Sequence, residues 1–304
     1  MRLKSLSSLI GLTLLLVTAL PAQAGGKDHQ ATQQEVQPQV QAEQRKTIRR
    51  GEEEVVKEAF EAVAATKAAL AALDAGRTEE ALAHLEIANG KLALLVARHP
   101  ELGLIPIDSQ AIIIDFEGDL KAIKKVVDEA EDLLDDGKVQ DARALLTPLA
   151  SEIRITTTNL PLALYPDIIK KVAPLIDQGK IKEAKETLVE ALNTLVITES
   201  VIPIPVLRAE AMLRKAAELA HAKQPERGEV LRYLDNAKYQ LRVAQALGYG
   251  DIDKDYKPLY DAIEDLEKQV KREQWGERLN AALEKLRKAV GLFRSEVSKP
   301  HEAQ

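Results

Sequence analysis

Residues 134–162 read LDDGKVQDARALLTPLASEIRITTTNLPL, and residues 176–204 read IDQGKIKEAKETLVEALNTLVITESVIPI. Both stretches place alanine and leucine at equal spacings after a glycine, and the distance from that glycine to the later proline is 24 residues in each. A looser copy begins at Gly76. One supersecondary unit is therefore repeated, and a unit of this kind has to bury its apolar face against a neighbour.

Each copy predicts an αα-hairpin, because the glycine ends one helix and the small residues let the next helix pack closely against it. Hairpins span 56–204, and further helices span 206–297. The proline segments after the hairpins predict tight, buried connections, since proline lacks a backbone donor and extends the preceding residue. Only Ile112–Ile114 resembles a strand. We predict an all-α fold of stacked αα-hairpins with a C-terminal helical bundle.

The C-terminal segment carries apolar residues at alternating spacings of four and three. These residues are Leu279, Leu283, Leu286, Val290, Phe293 and Val297. Heptad spacing of this kind favours a left-handed, coiled-coil-like helix pair. Self-association of the protein is expected, and the pattern leaves open whether this seam is intramolecular or intermolecular.

The N-terminal region predicts export. Residues 1–24 combine basic residues, an apolar core and a small-residue site, as is typical of a secretory signal peptide cleaved after Ala24. The apolar run is shorter than the roughly 20 residues that span a bilayer, so a membrane anchor is disfavoured. Residues 25–46 are rich in glutamine and predict a flexible leader. Residues 47–300 predict a single all-helical domain. We expect a periplasmic protein without membrane insertion.

Composition narrows the function. The chain has no cysteine, which excludes disulfides and thiolate sites. The chain has a net charge of −6 and an aromatic content of 3%. It therefore lacks the basic surface and the aromatic side chains for base stacking that nucleic-acid binding requires. The sequence has no phosphate loop, nucleophile elbow or metalloprotease helix. We expect no catalytic, metal or cofactor site, and partners that are proteins or small molecules.

One acidic cluster imitates a calcium loop. Asp251, Asp253 and Asp255 have the 1-3-5 spacing of an EF-hand, but positions 6 and 12 hold Tyr256 and Ala262 instead of Gly and Glu. The sharp turn and the bidentate ligand are both missing. An acid-decorated helix start is the better interpretation.

Polar runs precede two of the proline segments. Threonine, serine and asparagine side chains in such positions usually bond the nearby backbone. An alternative is hydrogen bonding to a ligand or partner on a concave face. The candidate contacts for that role are Arg154, Asn159, Tyr165 and Glu199.

Three segments carry a family resemblance: RITTTNLPLALYP at 154–166, ALNTLVIT at 191–198 and VIPIPVLR at 201–208. With them the chain resembles the YfdX family over residues 50–297. The resemblance implies an exported, all-helical, self-associating bacterial protein from gene neighbourhoods linked to acid, heat and drug tolerance. It implies no catalytic residue.

The leading hypothesis is a periplasmic stress-protection protein that acts by binding, either as a chaperone-like holder of proteins or by sequestering small toxic compounds. A tetratricopeptide-like interaction scaffold is one alternative, although the glycines do not repeat every 34 residues as that array requires. A hydrolase or metal-dependent enzyme with dispersed active-site residues is the other alternative.

Overall fold

The computed structural model describes residues 16–17 and 27–302. The helices are α1 (Lys27–Glu53), α2 (Lys57–Asp74), α3 (Thr78–Arg98), α4 (Leu120–Asp135), α5 (Val139–Leu146), α6 (Tyr165–Ile169), α7 (Val172–Asp177), α8 (Ile181–Asn193), α9 (Ile204–Ala220), α10 (Arg227–Ala246), α11 (Lys257–Lys271) and α12 (Glu277–Val297). The strands are β1 (Leu16–Val17), β2 (Leu104–Asp115), β3 (Ser151–Pro161), β4 (Val196–Pro203) and β5 (His301–Glu302). In the described residues they form a sheet of order β1-β2-β3-β4-β5. Helix makes up 69% of the described residues, which confirms a mainly helical fold.

The chain forms two compact units. Of the described residues, the first comprises 16–17, 27–44, Ala111–Arg154 and Val201–Lys299, and the second comprises Arg45–Gln110, Ile155–Ser200 and 300–302. The chain visits each unit more than once. The single domain expected over 47–300 stays a prediction.

Three hairpin turns have the predicted geometry. Gly76, Gly137 and Gly179 follow α2, α4 and α7 with φ angles of 73°, 74° and 73°. In each turn the glycine amide bonds the carbonyl three residues earlier, and the next amide bonds the carbonyl five residues earlier. This is the Schellman arrangement, which needs a left-handed residue and therefore favours glycine. The predicted hairpins α2–α3, α4–α5 and α7–α8 are confirmed.

The segments between hairpins are longer strands than the sequence predicts. Ile112–Ile114 lies in β2, as its composition indicates, but the predicted tight connections at the prolines are also strands. Pro161 and Pro203 are the last residues of β3 and β4. A strand end tolerates proline, and the runs of isoleucine, valine and threonine before it favour extended structure. The polar runs before Pro161 and Pro203 thus lie within strands β3 and β4.

The core of the second unit is built from α2, α3, α6, α7 and α8. Small residues dominate the helix contacts: Ala62, Ala81 and Ala184 are all fully buried. Their size lets the helix backbones approach closely. Tyr165 and Leu188 fill the remaining space and are also fully buried.

The first unit contains the C-terminal bundle. Helix α9 packs on α10 and α12, and α11 packs on α12. The seam residues Leu283, Leu286 and Val290 are at most 2% exposed in a single chain. The seam left open by the sequence is therefore intramolecular.

Helix α1 replaces part of the predicted flexible leader. Residues 27–46 are helical, and Val36 and Val40 are buried. Arg232 of α10 donates a hydrogen bond of 2.7 Å to the Thr32 hydroxyl. The prediction failed because it weighed only the small apolar content of the segment, whereas the ordering contacts come from a helix some 200 residues away.

The predicted signal peptide, residues 1–24, lies outside the described residues except for Leu16 and Val17. The backbone of these two residues pairs in parallel with Ile113 and Ile114. None of the helices that the structure describes combines the length and the apolar character needed to cross a bilayer.

Candidate functional site

An apolar groove opens on the α4–α5 hairpin of the first unit, with a volume of about 610 Å³. Its base includes Ala142, which is fully buried. Its walls carry Leu134, Val139 and Leu146, which are 46%, 55% and 41% exposed. Single exposed leucine or valine side chains are common on protein surfaces. Several that converge on one concave surface indicate a binding site.

The same hairpin exists in a covered form in the second unit. In the repeat, Ile176 occupies the place of Leu134, and Leu188 occupies the place of Leu146. Ile176 is 7% exposed and Leu188 is fully buried. Helix α8 packs there on α2, α6 and α7. Equivalent residues therefore form core in one copy and surface in the other.

Two arginines add positive charge to the groove. Arg143 and Arg154 both line it. Arg154 Nη2 lies 2.6 Å from Glu152 Oε1, so part of its charge is compensated. Among the described residues, Arg143 has no ion-pair partner. A carboxylate on a bound molecule would find a bidentate donor at this side chain.

A buried polar network supports the strand that carries Arg154. The Ser151 amide donates to the Tyr249 hydroxyl at 3.0 Å, and this hydroxyl donates to Glu152 Oε2 at 2.7 Å. Burial, followed by the hydrogen bond to Glu152, raises the pKa of Tyr249. The phenol therefore stays a neutral donor, and Glu152 is held between Tyr249 and Arg154.

The network continues from Ser151 to an ion pair. The Ser151 hydroxyl donates to Asp115 Oδ1 at 3.0 Å and accepts from the Phe116 amide at 3.0 Å. Arg208 Nη2 then donates to Asp115 Oδ2 at 2.5 Å. Ser151 is 1% exposed, so a substrate could not reach its hydroxyl. This geometry fixes β3 in place and does not resemble an activated nucleophile.

Each of the four predicted contact residues belongs to one of the two units. Arg154 lies in the first unit, at the groove, and the other three lie in the second unit. Asn159 is 5% exposed, and its side-chain amide donates to the Thr157 and Val196 carbonyls and to the Thr198 hydroxyl. It ties β3 to β4. The side chain of Asn159 therefore has a structural role.

Tyr165 is also buried, in its case fully, and burial raises its pKa to about 12, a shift that the nearby Thr66 hydroxyl only partly offsets. Glu199 is half-buried in β4, where its backbone pairs with His301. Ligand contact at Arg154, Asn159, Tyr165 and Glu199 remains a prediction.

The acidic cluster before α11 acts as a helix start, as predicted. Asp251 Oδ1 accepts hydrogen bonds from the amides of Asp253 and Lys254, at 3.1 and 2.8 Å. A short π-helical turn follows, at Ile252–Tyr256. Within residues 16–17 and 27–302, no group of three or more His, Cys, Asp or Glu side chains is placed to hold a metal ion.

The groove is not evident from the sequence, although the repeat carries a signal for it. Aligning the two copies sets Arg143 against Lys185, Leu134 against Ile176 and Leu146 against Leu188. The alignment alone does not tell which copy is covered, because the covering helix α2 lies more than 100 residues before α8. The buried network was missed for the same reason, since Tyr249 is 98 residues from Ser151.

Comparison with known proteins gives one family. Residues 62–201 match the family model described as YfdX protein, which confirms the resemblance found in the sequence. A solved structure of YfdX from Salmonella Typhi is similar to this chain with a TM-score of 0.36 and 15% identity, covering 49% of this chain and 93% of that chain. No curated protein matches the sequence.

Proposed function

Residues 62–201 place the chain in the YfdX family, and from that premise we propose that the protein protects other proteins in the bacterial periplasm by binding them, without catalytic turnover. The export that this requires is the prediction from residues 1–24. The stress linkage is what the family resemblance implies. Both belong to the proposal.

One observation carries the proposal: the α4–α5 hairpin exposes an apolar surface that its own repeat buries. Leu134, Val139 and Leu146 together offer the chemistry that a partly unfolded protein seeks, since such a protein exposes the apolar residues of its own core. A surface of this kind needs no nucleotide to bind, because contact with a client removes apolar area from water.

Acid stress fits the charge of the chain. The chain has 48 carboxylate side chains, and these begin to be protonated near about pH 4. Protonation lowers the net negative charge that repels acidic clients while Arg143 and Arg154 stay charged. We therefore expect binding to strengthen as the pH falls toward this range.

Sequestration of a small apolar acid is the second candidate. The groove volume of about 610 Å³ lies within the range of small-molecule sites, and Arg143 would pair with the acid. Against an enzyme stands the geometry of the strongest polar cluster, where Ser151 and Glu152 are buried and already bonded to neighbouring residues. We propose binding for this reason.

The test is suppression of aggregation. The purified protein is mixed with an unrelated heat-labile or acid-labile protein at near-equal molar ratio and without nucleotide, and light scattering is followed between about pH 4 and pH 7. We expect scattering to fall in proportion to the protein added, with the stronger effect at the acidic end. Scattering that stays unchanged at every ratio and pH would contradict the proposed function.

A further inference from the structure

We propose that the groove on α4–α5 is the docking site of an amphipathic helix from a partner protein, one that carries small apolar residues on one face and a carboxylate at its C-terminal end. The inference rests on the proposed binding function and specifies its ligand. The repeat within the chain identifies this ligand, because the second unit shows the same hairpin with such a helix in place.

The covering helix in the second unit is α2. It packs on α8, and its buried face is made of small and apolar side chains. These residues are Ala59, Ala62, Val63, Ala65, Thr66, Ala69, Ala72 and Leu73. The hairpin residue Leu188 belongs to the same buried core cluster, whereas its counterpart Leu146 is 41% exposed. A helix with the same face would therefore bury Leu146 as α2 and its neighbours bury Leu188.

The charge of Arg143 specifies the C-terminal end of the proposed partner helix. Lys185 Nζ lies 2.8 Å from Oδ1 of Asp74, the last residue of α2. Arg143 stands at the position of Lys185 in the other copy, six residues after the hairpin glycine in both. Within the described residues it has no carboxylate partner. A docked helix that ends in an aspartate or glutamate would supply the partner that Asp74 supplies to Lys185.

We expect the partner to be a helix and not an extended strand, because the α4–α5 hairpin supplies apolar lining residues at helical spacing, although Ile114 of β2 and Arg154 of β3 also line the groove. Leu134 precedes the hairpin glycine, and Val139 and Leu146 lie on the helix after it. Surfaces of this kind accept the i, i+3, i+4 face of an incoming helix. Extended chains pair with the open edges of sheets instead.

The probe is a labelled peptide with the sequence of α2, KEAFEAVAATKAALAALD, added to the full-length protein and followed by fluorescence anisotropy. We expect saturable binding that Leu146→Asp weakens at least about tenfold. Leu292→Asp is the matched control, because Leu292 is 72% exposed on α12 and lines a different surface. Circular dichroism confirms that both variants keep their helix content.

A charge reversal tests the polar end. Arg143→Glu is expected to weaken binding about tenfold, and a peptide whose final Asp is replaced by Lys is expected to restore it. This rescue would place the peptide at Arg143 and exclude the covered site at Lys185. Sedimentation of the wild type and Leu146→Asp is expected to give equal masses.

Three results would overturn the inference: no binding of the peptide, equal binding by the wild type and Leu146→Asp, or a change of oligomer mass in that variant, which would show that a second copy covers the groove. The aggregation test is separate from these. Peptide binding without suppression of aggregation would sink the proposed protective function and leave the docking site standing.

Discussion

The Tyr249 hydroxyl donates a hydrogen bond of 2.7 Å to Glu152 Oε2, inside the first unit and 97 residues away in the sequence. Glu152 is 5% exposed, so water cannot replace this donor. The same hydroxyl accepts from the Ser151 amide, which makes one phenol the partner of two buried groups. Through Glu152 this phenol also orients Arg154 at the groove.

We expect Tyr249→Phe to lower the free energy of unfolding by roughly 1–3 kcal/mol, because it removes the donor to Oε2 of the buried Glu152 and the acceptor of the buried Ser151 amide. Tyr260→Phe is the control, since Tyr260 makes a single bond of 2.7 Å to Gln245. Urea denaturation of the two variants measures the difference. Equal losses would mean that the network does not depend on Tyr249.

The Glu210 carboxylate is expected to destabilise the folded protein at neutral pH. Burial raises its pKa, and this effect outweighs the attraction of Arg294, whose Nε lies 3.1 Å away without hydrogen-bond alignment. An acidic group whose pKa is higher in the folded state than in the unfolded state destabilises the folded protein once the pH rises above the unfolded pKa of 4.5. The cost is complete above the folded pKa and vanishes below 4.5.

Glu210→Gln is therefore expected to raise the free energy of unfolding at pH 7 and to have little effect well below the unfolded pKa. Urea titrations of wild type and variant across this pH window give the difference directly. Glu264→Gln serves as the contrast, because a hydrogen bond from Lys238 lowers the pKa of that exposed carboxylate. A stabilisation by Glu210→Gln that grows as the pH falls would contradict a raised pKa of Glu210 in the folded protein.

Glu273 is the one non-glycine residue with positive φ among the described residues, at 55°. It follows α11 in the place that glycine takes in the hairpin turns, with the Glu273 amide bonding Val270 O and the Gln274 amide bonding Gln269 O. Glu273→Gly is expected to be about 1 kcal/mol more stable than Glu273→Ala, since only glycine adopts this conformation without strain. Both variants lose the exposed ion pair to Arg227, so thermal unfolding of the two isolates the backbone effect. A more stable alanine variant would count against it.

The two copies of the hairpin should respond differently to the same substitution. Leu188→Ala removes a fully buried side chain and is expected to cost about 2–5 kcal/mol. Leu146→Ala removes an exposed one and is expected to change stability by about 0.5 kcal/mol or less. Chemical denaturation checks both. Similar losses at the two positions would mean that the groove is covered in solution.

The turns of the fold were predictable because a single local requirement decides each of them. Gly76, Gly137 and Gly179 adopt nearly the same φ, and the pattern of alanine and leucine after each glycine is enough to identify the second helix. The strands were harder. Proline at 161 and 203 suggests a break, and only the sheet around it shows that it ends a strand.

The candidate site depends on contacts that a local pattern cannot reveal. Leu146 and Leu188 have the same spacing from their glycines, yet one is exposed and the other fully buried. The difference is the packing of α2, α6 and α7 on α8, and α2 belongs to a distant part of the chain. The same holds for α1, whose Thr32 is fixed by Arg232. Sequence predicts the hairpins well and their partners poorly.

Because the hairpin occurs twice, the requirement for folding and the requirement for partner binding act on different copies of the same residues. Ile176 and Leu188 are constrained by stability, because they fill the core of the second unit. Leu134 and Leu146 do not fill a core, so mutations there can drift among side chains of different size and polarity at little cost to stability. The preference of the groove for one partner over another can therefore diverge between species while the scaffold that presents it stays the same.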